Sequence, residues 1–197
     1  MSALTVDHAT ASGHEWDGLV RIWQETDAPE GCRVEIIEGI VTVAPPPSKA
    51  HNKIVSKVIR RLSDVLPDDW GLYPTLGTAV PSRDSLYIPD LAVAPEDALD
   101  GEDDEYIPAG AAELIVEITS KSNANTDRIT KAAGYAKAGV PLYLLIDGWA
   151  PGGPTVTLYG EPKGDVYRVL RAGKFGDVID LPEPFGFTLD TSDFPTQ

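Results

Sequence analysis

Hydrophobic positions recur along the chain with two different periods, and the switches between them outline a mixed α/β fold. After a small, polar stretch at residues 1–13, expected to be a flexible terminus, Trp16, Leu19, Val20 and Trp23 fall at helical spacing and predict a short amphipathic helix over 14–25. RVEII and IVTVA are two β-prone runs separated by Glu38-Gly39, which predicts a hairpin, and Pro45 to Pro47 stop its second strand. Ser48 stands as the N-cap of a helix reaching about Leu66, whose apolar stripe is Ile54, Val55, Val58, Ile59, Leu62, Val65 and Leu66. Further strands are expected around Gly77–Val80 and Tyr87–Val93, and the acidic stretch PEDALDGEDDEYIPAG is expected as a surface loop.

The most strand-like run is AELIVEITS. A helix from about Asn125 to Ala138, closed by Gly139, and a second buried strand, PLYLLID, follow it. Strand, helix and strand in that order form a βαβ unit, whose two strands lie parallel in one sheet. The remaining segments, TVTLYG, DVYRVLRAG and PFGFTL, predict antiparallel hairpins that extend the sheet. With no internal repeat or linker, residues 14–197 are expected to form a single domain of α/β or α+β class.

Charge narrows the functional classes. The 197 residues carry 16 Lys and Arg against 31 Asp and Glu, a formal charge of −15, which repels nucleic acid and anionic membranes at long range and argues against a constitutive DNA coat. No apolar run approaches the ~20 residues of a membrane span, and the N-terminus lacks the apolar core of a secretory signal. Cys32 is the only cysteine, so no internal disulfide or multi-thiolate metal site is available, and a reducing, cytoplasmic setting is expected.

Two carboxylates stand out. Asp90 follows Pro89, which removes a ladder hydrogen bond and marks a strand edge or bulge. Glu117 lies inside LIVEITS, where alternation puts Glu113, Ile115, Glu117 and Thr119 on one face and Leu114, Val116 and Ile118 on the other. A carboxylate among apolar neighbours needs a cation, either a basic side chain or a divalent metal, and oxygen ligands select Mg2+ or Mn2+. Asp127, Lys131 and Tyr135 fall four apart on the helix that folds back beside Glu117, so Lys131 is the candidate cation, able to orient water or stabilise charge on phosphoryl oxygens. The same spacing also fits an ordinary surface pair of Asp127 with Lys131, and Glu117 also fits an edge-strand charge. His51, in the first turn of the Ser48 helix, and Glu35, in the first hairpin strand, join the candidates: His51 also fits a half-buried structural histidine, and Glu35 faces either the same site or water.

Taken together, EIIEG with His51 downstream, then PDLAV, then LIVEITSKSNANTDRITKAAGYAKAGVPLYLLID resemble the Uma-two family of restriction endonucleases within the PD-(D/E)xK nuclease superfamily. The resemblance spans about residues 33–147. It implies a restriction-endonuclease-like central mixed sheet flanked by helices, with Asp90 and Glu117 as metal-binding carboxylates and Glu35 and His51 at upstream polar positions. The superfamily pattern places a lysine two residues after the glutamate, where this chain has Thr119, and family members similarly lack it. Lys131 is the substitute this implies, with Lys121 as second choice.

The resulting expectation is a Mg2+- or Mn2+-dependent endonuclease acting on nucleic acid, DNA ahead of RNA, with a homodimer as the arrangement that restriction-type enzymes suggest by analogy. Lys49, Lys53, Lys57, Arg60 and Arg61 crowd one helix and are expected to offer a local phosphate-facing strip. The alternative is a catalytically silent protein of the same fold, whose acidic loop over 95–105 binds a basic partner.

Overall fold

The computed structural model describes residues 12–101 and 105–196. Helix α1 (Ser12–Glu25) precedes the hairpin of β1 (Arg33–Ile37) and β2 (Ile40–Ala44). Glu38 and Gly39 turn it with φ of 48° and 80°, the positive values that a two-residue type I′ turn requires. The first eleven residues of the expected flexible terminus lie outside the described residues. Ser48 caps α2 (Lys49–Ser63), its hydroxyl accepting the backbone N–H of His51 at 3.2 Å.

Next come β3 (Trp70–Tyr73) and β4 (Gly77–Val80). The pattern did not announce β3, which is four residues long with a glycine inside it. The run Tyr87–Val93, expected as one strand, is divided between two sheets. β5 (Ser85–Tyr87) pairs with β4 and β1, the chain leaves that sheet at Ile88-Pro89-Asp90, and it enters the other as β6 (Leu91–Pro95). Pro89 has no N–H to donate, so this is where the ladder can stop and the chain change sheets.

The acidic stretch is more ordered than a loop: a 3₁₀ turn covers Glu96–Leu99, and β7 (Tyr106–Pro108) pairs parallel with β4. Its residues 102–104 lie outside the described residues. β8 (Leu114–Ile118) leads into a π-helical turn over Thr126–Lys131 that continues as α3 (Ala132–Ala138), and β9 (Leu142–Asp147) returns parallel to β8. The βαβ unit is therefore present, with the helix expected over 125–138 beginning as a wider coil. The antiparallel hairpin of β10 (Thr155–Lys163) and β11 (Val166–Lys174) extends the sheet beyond β9, and β12 (Val178–Leu181) pairs with β13 (Phe187–Asp190) separately.

These strands form a sheet in the order β2-β1-β5-β4-β7 and a sheet in the order β11-β10-β9-β8-β6-β3. Alternation along β8 sends Leu114, Val116 and Ile118 to a core shared with Ile54, Val58 and Leu62 of α2 and with β12 and β13. Ile115 faces the other way, into a core of Val80, Tyr87, Tyr135 and Tyr143 that joins α3 to both sheets. Ile36, Leu86 and Ile88 pack under Trp16, Leu19 and Trp23 of α1. The mixed α/β class expected from the pattern is the one observed.

Gly134 in α3 is the tightest point of this packing near the site. A Cβ there would sit 2.5 Å from the Tyr87 hydroxyl oxygen and 2.7 Å from its ring, and Tyr87 is fully buried. Gly134→Ala is expected to destabilise the protein by about 1–3 kcal/mol through overpacking, outweighing the ~1 kcal/mol of helix propensity that alanine adds. Urea denaturation of native and variant proteins reads the sign directly.

Candidate active site

Carboxyl groups from different elements turn toward one small region. Glu35 comes from β1, Asp90 from the break between β5 and β6, Glu117 from β8 and Asp127 from the π-helical turn, and all are buried. Lys131 completes the group. It is 2% exposed, and its Nζ lies 2.7 Å from Glu35 Oε1, 3.0 Å from Glu117 Oε1 and 3.8 Å from Asp127 Oδ1. Tyr135, one turn further along, donates its hydroxyl to Glu117 Oε1 at 2.9 Å, so strand and helix are tied together at a single oxygen.

Asp90 is held by two hydrogen bonds and one ion pair. Its Oδ2 accepts the Ile118 backbone N–H at 2.7 Å and the His51 ring at 2.9 Å, and its Oδ1 lies 2.6 Å from the Arg33 guanidinium. Glu35 is fixed likewise, its Oε1 accepting the Ile88 backbone N–H at 2.7 Å. The two backbone donors flank the place where the chain changes sheets and the end of β8. Ending the ladders there releases N–H groups that buried carboxylates then satisfy.

The electrostatic balance is negative. Arg33 and Lys131 are the fixed cations facing Glu35, Asp90, Glu117 and Asp127. Burial pushes the Glu117 carboxyl up to about 7 despite Lys131, with the charges of Asp90 and Glu35 adding to the rise. Burial and the Glu117 charge likewise raise Asp127, whose carboxyl oxygens take no hydrogen bond among the described residues. For Asp90, burial alone would raise the pKa, but bonding and charge from His51, followed by Arg33 and the Ile118 N–H, hold it below the ordinary range. Lys131 is pulled the same way: burial opposes its charge, and Glu117, Glu35 and Asp127 more than restore it.

The cluster forms the floor of a cleft of about 1050 Å³. Buried Glu35, His51, Asp90, Glu117 and Lys131 line its depth, whereas exposed Lys49, Lys121 and Trp149 line its mouth together with Pro45 to Pro47.

The structure brings Asp90, Glu117, Lys131, Glu35 and His51 together and decides where Lys131, Glu117 and Glu35 lie. Asp127 and Lys131 are not a surface pair, because both are buried, and Glu117 is not an edge charge, because β8 lies between β6 and β9. Glu35 faces the site, and His51 reaches it from the first turn of α2. Lys121 stands at the mouth, with its Nζ 5.9 Å from the Trp149 ring, and is not at Glu117. Thr119 bonds Asp147 at 2.9 Å and has no part in the cluster. The expected phosphate strip on α2 is partly neutralised, because Lys57 and Arg61 both pair with Asp193.

Two participants were missed. Arg33 stands two residues before Glu35 on the same strand, and that spacing places both on one face. Tyr135 shares the Lys131 face, a spacing that by itself assigns it no role. No pattern in the sequence points to the Ile118 N–H.

A family model described as “Putative restriction endonuclease”, Uma2, matches residues 20–192. The chain belongs to the Uma2 family. Its fold is that of a crystal structure described as a “putative nuclease” from Anabaena variabilis ATCC 29413, with a TM-score of 0.67, 20% identity, and coverage of 91% of this chain and 96% of that one. No curated protein matches the chain. Among the described residues of this Uma2 protein, no three His, Cys, Asp or Glu side chains form a ready-made metal cage, and no helix is long and apolar enough to cross a membrane.

The raised Glu117 carboxyl gives a signed expectation. The folded protein keeps a proton there up to about pH 7, whereas the unfolded chain releases it near 4.5. This contribution to stability is complete below about pH 4.5 and lost as pH rises through about 7. In chelator, the melting temperature of the native protein should therefore fall relative to that of Glu117→Gln across this window and run parallel to it above. A flat difference would show that Glu117 ionises normally.

Proposed function

We propose that this protein is a divalent-metal-dependent endonuclease that hydrolyses phosphodiester bonds of nucleic acid, DNA ahead of RNA, with Mg2+ or Mn2+ held by Asp90 and Glu117. The observation that carries this is the pair of buried carboxylates on the floor of an open cleft with the Lys131 ammonium beside one of them, in a chain of a family described as restriction endonucleases.

The residues fit such an ion. The donors are all oxygen, and the carboxylates outnumber the cations that face them. Glu117 receives Lys131 and Tyr135 on Oε1, which leaves Oε2 without a donor among the described residues. Asp90 Oδ1 has the Arg33 charge nearby but no aligned hydrogen bond. Magnesium is commonly held by one or two carboxylates, with water and substrate phosphate completing its shell, so two ligands suffice without a cage. Once bound, the ion supplies positive charge to a phosphoryl oxygen and makes water easier to deprotonate.

The chain's own groups do the rest. Lys131, locked by Glu35 and Glu117, presents fixed positive charge where the phosphoryl oxygens gain negative charge, and a preorganised donor needs no reorganisation as the reaction proceeds. It supplies from the helix the charge that Thr119 cannot supply from the strand. His51 bonds Asp90 through Nε2 and orients it, and its Nδ1 is buried with no partner among the described residues. The Arg33 charge lies beside the other oxygen of Asp90.

With Mn2+ present, the native chain should cleave plasmid or oligonucleotide substrates, and Glu117→Ala and Lys131→Ala should each lose about 100-fold or more. Equal trace activity in all three proteins would mean contamination and would overturn the proposal. Mn2+ at about 100 times its Kd should also stabilise the native protein by about 2.7 kcal/mol, seen as a higher melting temperature, and Asp90→Ala should abolish the rise. No rise in the native protein favours the silent interaction module.

A further inference from the structure

The mouth of the cleft has features that the proposed hydrolysis does not use. Asp147, at the end of β9, accepts the Thr119 hydroxyl at 2.9 Å and the Arg128 guanidinium at 2.7 Å, and it accepts the Trp149 backbone N–H at 3.0 Å. Arg128 also donates to the Trp149 carbonyl at 2.8 Å. The backbone of Trp149 is thus pinned on both sides, yet the residue is 38% exposed and lines the cleft, with the Lys121 ammonium 5.9 Å from the ring centroid. Threonine at the position where the superfamily keeps a lysine therefore serves this anchor.

Charge separates the nucleic-acid forms that this mouth can take. Duplex binding without base readout comes from neutralising many phosphates. Here the formal charge is −15, and Lys57, Arg61, Arg83, Arg128 and Arg168 are each paired with a carboxylate. At the mouth, Lys49 and Lys121 have no ionic partner among the described residues, enough for about two phosphates. Stacking on an aromatic ring is insensitive to net charge and is worth about five- to 150-fold in affinity per base. In a duplex the faces of the bases are already covered by their neighbours, so only an unpaired base can use it.

We infer that the substrate bound by this cleft is an unpaired nucleic-acid strand, with one base stacked on Trp149 and the flanking phosphates on Lys49 and Lys121. This rests on the nuclease proposal and names its substrate form. The rigid apolar wall of Pro45 to Pro47 lines the same mouth and gives the strand a surface that asks for no hydrogen bonds.

Fluorescence anisotropy in EDTA, with a labelled 12-nucleotide single strand and the duplex of the same sequence, tests this without cleavage. The native protein should bind the single strand at least tenfold more tightly than the duplex. Its log Kobs against log salt should have a slope no steeper than about −3, consistent with a few phosphate contacts. Trp149→Ala should lose at least fivefold in single-strand affinity, Trp149→Phe should keep most of it, and Lys121→Ala should lose a few-fold, all with native melting temperatures. Duplex binding as tight as single-strand binding, no binding of either, or unchanged affinity in Trp149→Ala would overturn the inference. Binding is read without metal and cleavage is read with it, so a Trp149-dependent complex with activity indifferent to Glu117 would instead sink the nuclease proposal.

Discussion

A lysine ammonium removed from water is stable only beside negative charge, and Lys131 meets that condition through oxygens of Glu35 and Glu117 that come from separate sheets. The dependence is mutual. Glu117 in the middle of β8 would be an uncompensated buried carboxylate without the helix, and the π-helical turn brings Lys131 to it. The ammonium also joins the β1 sheet to the β8 sheet, so the same contact that builds the site helps to set the relation of the two layers. Tyr135 reinforces it from the next helical turn and stacks edge-on against Tyr87 of β5, with ring centroids 5.2 Å apart.

The negative excess around that contact is more than a cohesive ion pair requires. A pair evolved only for cohesion is most stable when charges cancel and every lone pair has a donor. Here Asp127 is buried with no hydrogen bond on its carboxyl among the described residues, and burial pushes the Glu117 carboxyl up to about 7. The neighbouring Asp90 is held below the ordinary range by His51 and the Ile118 N–H on one oxygen and by the Arg33 charge beside the other. Two carboxyl groups that line one cleft are thus pushed in opposite directions by their environments, a pattern expected of groups with different tasks.

Pro89 shows how one residue carries both architecture and chemistry. By ending a ladder, it lets β5 and β6 belong to different sheets, and the carboxylate that follows it lands where the sheets part. There the Ile118 N–H, at the end of β8, is available to Asp90. A continuous strand over these residues would have placed Asp90 in a ladder register.

Periodicity is a local property, and whatever depends on it was legible: the hairpin at Glu38-Gly39, the Ser48 cap, the two faces of β8 and the parallel return through β9 all follow from residues within a few positions of one another. The candidates Asp90 and Glu117 were legible for a related reason, since a charge inside an apolar run or at a proline break is conspicuous along the chain, and Lys131 was legible from its four-residue spacing with Asp127 and Tyr135. The destination of Glu35 was not, because which face of a β1 strand meets a helix almost a hundred residues later depends on how the sheets stack. Neither was the burial of Asp127, the attachment of Arg33 to Asp90, the division of Tyr87–Val93 or the pinning of Trp149 by Asp147. Each of these arises from distances and loss of solvent between segments remote in the chain, and desolvation exists only once those segments have packed.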